Sequence, residues 1–156
     1  MYHYSKHSMK QRATLHTVAQ LGLDFTLIRH DFKIIQGGRT DEQQWAYYNK
    51  GTSTLHPPQG KHLIQPDGFA YAADVHPYVN GKPVDTSATG FRVQQAGQFG
   101  YFLAILEQEC KDACDDWYGR NGDQFDVRLG ANWDMDAELL TDQSFDDWFH
   151  IEWIRR

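Results

Sequence analysis

Cysteine is scarce in this sequence: Cys110 and Cys114 are its only two in 156 residues. They stand four positions apart, a spacing at which a disulfide within one helix is geometrically poor. Without a second pair they make a weak zinc motif. They read as buried, reduced thiols, which fits a reducing compartment. Long apolar runs are missing too, and none approaches the roughly 20 residues that cross a bilayer. The first ten residues, Met1 to Lys10, lack the apolar core of a secretory signal. Positive charge is in deficit. The formal net charge is −6, which argues against a nucleic-acid surface, where a basic patch is needed. No repeat or low-complexity tract occurs. Asp134, Asp136, Asp142, Asp146 and Asp147 crowd one end, but the glycine-bearing twelve-residue pattern of a calcium loop is absent.

What is present is a globular composition, with 40% apolar and 23% charged residues. The length suits one domain, residues 1–156, with a real core, and is too short for two ordinary ones. Leu15, Val18, Ala19 and Gly22 recur at helical spacing and predict a helix over residues 11–22. His16 and His30 read as polar surface residues. Phe32, Ile34 and Gln36 alternate, predicting a strand over Asp31 to Gln36, ended by Gly37-Gly38. Thr40 and Gln43 form a capping box for a helix from Asp41 to Asn49, with Gly51 beyond its end. Arg39 sits at this strand-to-helix corner. On composition alone it is a surface cation pairing with Asp41 or Glu42.

Further along, Phe69 to Val75 reads as a short strand leading to Pro77, which cannot donate to a ladder. Asn80-Gly81 is a strong hairpin signal between Tyr78-Val79 and Lys82-Pro83. Val84 to Gly90 is loop-like. Phe99, Phe102, Leu103, Leu106, Cys110, Ala113, Cys114 and Trp117 then step by three and four, marking the main core helix, which Asn121-Gly122 ends. Phe125 to Leu129 reads as a strand, followed by a turn at Trp133-Asp134. Phe149, Ile151 and Trp153 alternate with His150, Glu152 and Ile154 in a closing strand, so His150 points away from Phe149.

Chemistry concentrates in Gly60 to Pro77, which holds His62 in a loop and Asp74 at the end of a small apolar run. Imidazole and carboxylate are both good zinc donors, and two alone do not close a site. The missing donor is expected to be a second histidine, and His150 in Asp146-Asp147-Trp148-Phe149-His150-Ile151-Glu152-Trp153 is the best candidate.

These stretches resemble the zinc peptidases that cut D-amino-acid-containing peptides of bacterial cell walls, the D-alanyl-D-alanine carboxypeptidases and the phage L-alanyl-D-glutamate endopeptidases. The family pattern is Ser-x-His-x-x-Gly-x-Ala-x-Asp followed much later by Asp/Glu-x-x-His. Gly37-Gly38-Arg39-Thr40 with Gln43 and Gln44 is similar to the family's Gly-x-Arg-Thr-x-x-x-Gln. Lys50-Gly51-Thr52-Ser53 and Leu129-Gly130-Ala131-Asn132-Trp133-Asp134 also look like phage members. The order matches from about Leu15 to Trp153. Two departures stand out. Gly60 replaces the serine, and the twelve-position spacing of His62 and Asp74 is longer than usual, with Asp67 where the histidine would fall. Gln65-Pro66-Asp67-Gly68 reads as an inserted turn. His56, and His76 two residues after Asp74, stay open as alternatives to His62.

The resemblance implies an α+β fold of the hedgehog/DD-peptidase kind: a small, mainly antiparallel sheet with helices packed on one side and zinc in a cleft across it. It implies a zinc metallopeptidase acting on the peptidoglycan stem peptide, of the phage endolysin type, cutting between L-alanine and D-glutamate. Zinc would be held by His62, Asp74 and His150, with a water of lowered pKa at the open position. Asp147, three residues before His150, would be the general base, and Arg39 would stabilise the developing oxyanion. The runner-up enzyme is a D-alanyl-D-alanine carboxypeptidase. From another class, a non-catalytic, zinc-dependent wall-binding module keeps the fold without the chemistry, but retention of Asp147 and Arg39 favours an enzyme. The expectation is a monomer, made in the cytoplasm of an infected bacterium, released to the wall by another protein's membrane lesion, with no room before Arg156 for a separate anchoring domain.

Overall fold

A computed structural model of the protein describes residues 1–87, 93–130 and 148–156. Its elements in chain order are α1 (Lys6–Arg12), α2 (Thr17–Arg29), β1 (Phe32–Gln36), α3 (Asp41–Asn49), β2 (Ala72–Val79), β3 (Lys82–Pro83), α4 (Val93–Asn121), β4 (Phe125–Leu129) and β5 (His150–Arg155). The strands form one antiparallel sheet in the order β1-β2-β5-β4, with β3 paired to the far end of β2. The fold is therefore α+β, with a small antiparallel sheet and helices against it. The expected Trp133-Asp134 turn lies outside the described residues, as does the last part of the expected Val84–Gly90 loop.

Helix α4 carries the longest apolar stripe: its predicted members Phe99, Phe102, Leu103, Leu106, Cys110, Ala113 and Cys114 are buried, and Trp117 is partly buried against the core. They meet Val18, Ala19 and Leu23 of α2 and the inward residues Phe32, Ile34, Val75, Val127, Ile151 and Trp153 of the strands. The two helices approach closely at Gly22, where an added Cβ would come within 2.7 Å of the Cys110 sulfur. Both thiols are free, and burial pushes Cys110 well up and Cys114 to about 12, so they stay neutral and inert.

The N-terminal expectation needs correction. Residues 11–22 do not form one helix: α1 ends at Arg12, and α2 begins at Thr17. Between them the chain extends and bridges Leu15 to Ala70, with the N–H of Ala70 on the Thr14 carbonyl and that of His16 on the Ala70 carbonyl. Helix α1 covers the free edge of β1: the Ile34 N–H donates to the Ser8 hydroxyl, and the His7 ring lies 2.8 Å from the Ile35 carbonyl. His16 and His30 are not simple surface residues. His16 caps α2 and stacks on Tyr71 at 4.9 Å, with Phe69, Trp117 and Phe125 around it. His30 packs against Phe102.

Pro77 does not end its strand either. Strand β2 runs on to Val79, and Pro77 pairs with Phe32. The Pro77 carbonyl accepts from the Val84 N–H, so the ring nitrogen faces that side and β1 loses no ladder bond. The Asn80-Gly81 turn forms as read, with φ of 53° and 72°. A bulge in β1 after Ile34 moves the register so that Gln36, not Ile35, faces Asp74, delivering the chain to the Gly37-Gly38 corner.

Candidate metal and catalytic site

The sheet register assembles two of the predicted ligands. Asp74 on β2 and His150 on β5 are direct cross-strand partners, so their side chains project from one face. His62 comes from the loop after α3, which runs beside the corner at Arg39. The Arg39 N–H donates to the His62 carbonyl at 2.8 Å and the Ile64 N–H to the Arg39 carbonyl at 3.0 Å. His62 Nε2 lies 3.1 Å from Asp74 Oδ1 and 3.2 Å from His150 Nδ1, and His150 Nδ1 lies 3.1 Å from the same Asp74 oxygen. Both histidines are buried, at 5% exposure.

Donor chemistry suits this group to a cation. His62 Nδ1 lies 2.9 Å from the Gly37 carbonyl, which can only accept. A neutral His62 thus carries its proton on Nδ1 and turns a bare Nε2 lone pair towards the Asp74 carboxylate. Two lone pairs at that distance need a proton or a metal ion between them. Tetrahedral ligands at zinc bond lengths of about 2.0–2.1 Å lie about 3.3 Å apart, close to the spacing of this trio. Burial raises the Asp74 pKa, but with a proton in that place the hydrogen bonds and charge from His150 and His62 outweigh it and hold the carboxyl well below the usual range. The group His62, Asp74 and His150 can therefore hold a metal ion.

The glycines at 37 and 38 allow this approach. A Cβ on Gly37 would come within 2.4 Å of the Gln11 carbonyl, and one on Gly38 within 2.9 Å of Ile64. Close contact with the α1–α2 break thus sets the Gly37 carbonyl that orients His62. The inserted turn also forms: the Gly68 N–H bonds the Gln65 carbonyl at φ +88°, and Asp67 bonds Tyr71 and the Phe69 N–H, away from the trio.

Arg39 reaches the site and does not pair with Asp41 or Glu42 among the described residues. Its Nη2 lies 3.7 Å from Asp74 Oδ2, its Nη1 donates to Gln44 at 3.2 Å, and its guanidinium lies 4.6 Å over the Tyr47 ring. Its Nε is buried without a hydrogen bond. Gln44 is itself buried and donates to Ser53 and the Leu55 carbonyl, tying the arginine to the following loop. This explains the glycine at position 60, since a Cβ there would meet the Gln44 side chain at 2.9 Å.

The two alternative ligands fall elsewhere. His56 stacks on Trp45 and its Nδ1 lies 2.7 Å from the Pro57 carbonyl. His76 lies 2.8 Å from the Val84 carbonyl, against Phe149 and Phe99. Asp147, the predicted base, lies outside the described residues, as do Asp134, Asp136, Asp142 and Asp146. Sequence reasoning missed Glu152. It is 3% exposed on the His150 face, engaged by Arg128 and with Lys61 at 3.8 Å. The one available signal was its place two residues after His150 on a strand.

Comparison with known proteins bears on the fold and the family. No curated protein matches the chain. Among solved structures, the Serratia marcescens L-Ala D-Glu endopeptidase ChiX is similar at 15% identity and a TM-score of 0.60, over 97% of this chain and 89% of that one, a likeness of fold. The family model described as phage L-alanyl-D-glutamate peptidase matches residues 1–95, the stretch that supplies Arg39, His62 and Asp74. With more than half of its length matched, this chain belongs to the phage L-alanyl-D-glutamate peptidase family.

Proposed function

We propose that this protein is a zinc-dependent endopeptidase that hydrolyses the L-alanyl–D-glutamate bond of the peptidoglycan stem peptide, with residues 1–156 as one peptidase domain. The observation that carries the reading is the convergence of His62 Nε2, Asp74 Oδ1 and His150 Nδ1 within 3.2 Å of one another. Bound there, zinc would supply Lewis-acid polarisation of the scissile carbonyl and a water acidified towards a pKa of about 7. Asp74 supplies the negative charge of the set, and the Gly37 carbonyl holds His62 in the tautomer that ligates through Nε2. Arg39, fixed by Gln44 and the Tyr47 ring, directs guanidinium donors to the carbonyl oxygen as charge develops on it. Asp147 takes a proton from the attacking water and returns it to the departing D-glutamate amine as the C–N bond breaks.

The test is mass spectrometry of fragments released from purified wall by the zinc-loaded protein. The expected products are muramyl-linked L-alanine and peptides beginning with D-glutamate. Free D-alanine as the released product would replace this reading with a carboxypeptidase. No new amino groups, with zinc bound, would replace it with a wall-binding module.

A further inference from the structure

Glu152 is a buried anion that the chemistry above does not use. Burying a carboxylate at 3% exposure is unfavourable unless cations or donors meet it. Its two oxygens are divided. Oε1 accepts from Arg128 Nε at 2.6 Å, and the Arg128 Nη2 also closes on it. Arg128 and Glu152 are cross-strand partners on β4 and β5, so this half of the carboxylate ties the two strands. Oε2 is turned the other way, 3.9 Å from His150 Nε2 and 3.8 Å from Lys61 Nζ. His150 Nδ1 is the nitrogen that faces His62 and Asp74. Its opposite nitrogen therefore looks at a carboxylate oxygen that the cross-strand pair leaves available.

We infer that Glu152 is a positioning residue for the metal site: its Oε2 receives the Nε2 proton of His150 and so leaves the Nδ1 lone pair for the ion. The inference rests on the zinc reading above. A carboxylate behind a ligating imidazole fixes the tautomer and ring orientation and raises the basicity of the ligand atom. The 3.9 Å separation is beyond hydrogen-bond length, so the contact requires the His150 ring or the carboxylate to turn towards the other. The two ligating histidines are then oriented by different devices, a backbone carbonyl behind His62 and a buried carboxylate behind His150.

The experiment compares zinc affinity, by competition with a chelator, in the parent and in Glu152→Gln, beside melting curves of both in metal-free form. Glutamine keeps the shape and loses the charge. The expected result is a roughly 10–100-fold loss of zinc affinity, the usual consequence of removing such a partner, with an altered visible spectrum of the cobalt-substituted form. An affinity within about twofold of the parent would leave Glu152 as a strand-tying residue only, whatever the melting curves do. Histidine-ring nitrogen NMR of the metal-free parent tests the same point without a variant. A proton on His150 Nε2 supports the assignment, and one on Nδ1 overturns it. If the parent itself takes up no zinc, the metal reading fails first and this inference with it.

Discussion

Over residues 150–153 the two faces of strand β5 are both closed to water, by opposite means. Ile151 and Trp153, at 0% and 2% exposure, sit in the helix-covered core. His150 and Glu152, at 5% and 3%, sit on the other face among Asp74, His62, Arg128 and Lys61. Apolar burial is non-directional and scales with area, so that face tolerates edits with graded losses of stability. Polar burial is directional, and each atom needs a partner at the right distance. One strand thus carries the apolar core on one side and the candidate metal site on the other, and the two should fail differently when changed.

The largest expected effect is on the polar face. His62→Ala, Asp74→Ala and His150→Ala should each remove most bound zinc and with it hydrolysis, because each supplies one of three converging donors. His56→Ala and His76→Ala should keep the metal, since both rings are engaged elsewhere. Metal content after dialysis reads this directly, and full zinc in the His62 variant would break the ligand assignment.

Next comes Asp147→Ala, which separates proton transfer from metal binding. Zinc content and melting temperature should hold, while clearing of outer-membrane-stripped cells should slow by roughly 10²–10⁴-fold, the usual contribution of a positioned acid–base group. Clearing as fast as the parent would show that another group moves the proton.

On the apolar face the expected change is in stability alone. Replacing Cys110 and Cys114 together by Ser puts hydroxyls on a buried stripe, at a cost of about 1–3 kcal/mol for each one left without a partner. Thermal unfolding should shift down, with zinc content and activity per folded molecule unchanged. Lost activity in a folded, zinc-loaded variant would mean that the faces are coupled through the strand.

The sequence made the apolar half of this architecture readable because local rules govern it. The α4 stripe, the Thr40–Gln43 capping box and the Asn80-Gly81 turn depend on near neighbours, and all three formed as read. The polar half was legible only as residue types in a familiar order. Spacing could not choose between His56, His62 and His76; what brings His62 beside Asp74 and His150 is the Gly37 carbonyl, the Gly60–Gln44 contact and the β2–β5 register, all long-range. The burial of Glu152 was not legible, because strand alternation cannot distinguish a polar residue in water from one buried among charges. The break at residues 13–16 was hidden because Leu15 continues the helical spacing of Val18 and Ala19, while its backbone is claimed by Ala70.

His16 offers the smallest and sharpest test of the comparison, because it is a histidine held by rings instead of by charged groups. Its Nδ1 accepts from the Val18 N–H at 3.3 Å, and its ring stacks on Tyr71. Burial lowers its pKa, outweighing the nearby Asp67 carboxylate. The folded pKa therefore lies below the unfolded value of about 6.5, so the unfolded chain binds more protons in that window. Stability should rise with pH across the window and fall as acid is added, when protonation also removes the acceptor that caps α2. The measurement is the melting temperature of chelator-treated protein between about pH 8 and 5, for the parent and for His16→Asn. Asparagine keeps a capping oxygen but does not titrate, so its curve should be flatter, with a difference no larger than one helix cap, about 1 kcal/mol. Overall stability of the variant is expected to be lower at every pH because the ring contacts are gone, and only the slope matters. Parallel curves would mean that the rings do not exclude the charge. A parent that gains stability in acid relative to the variant would mean that attraction between the imidazolium and the ring faces outweighs burial.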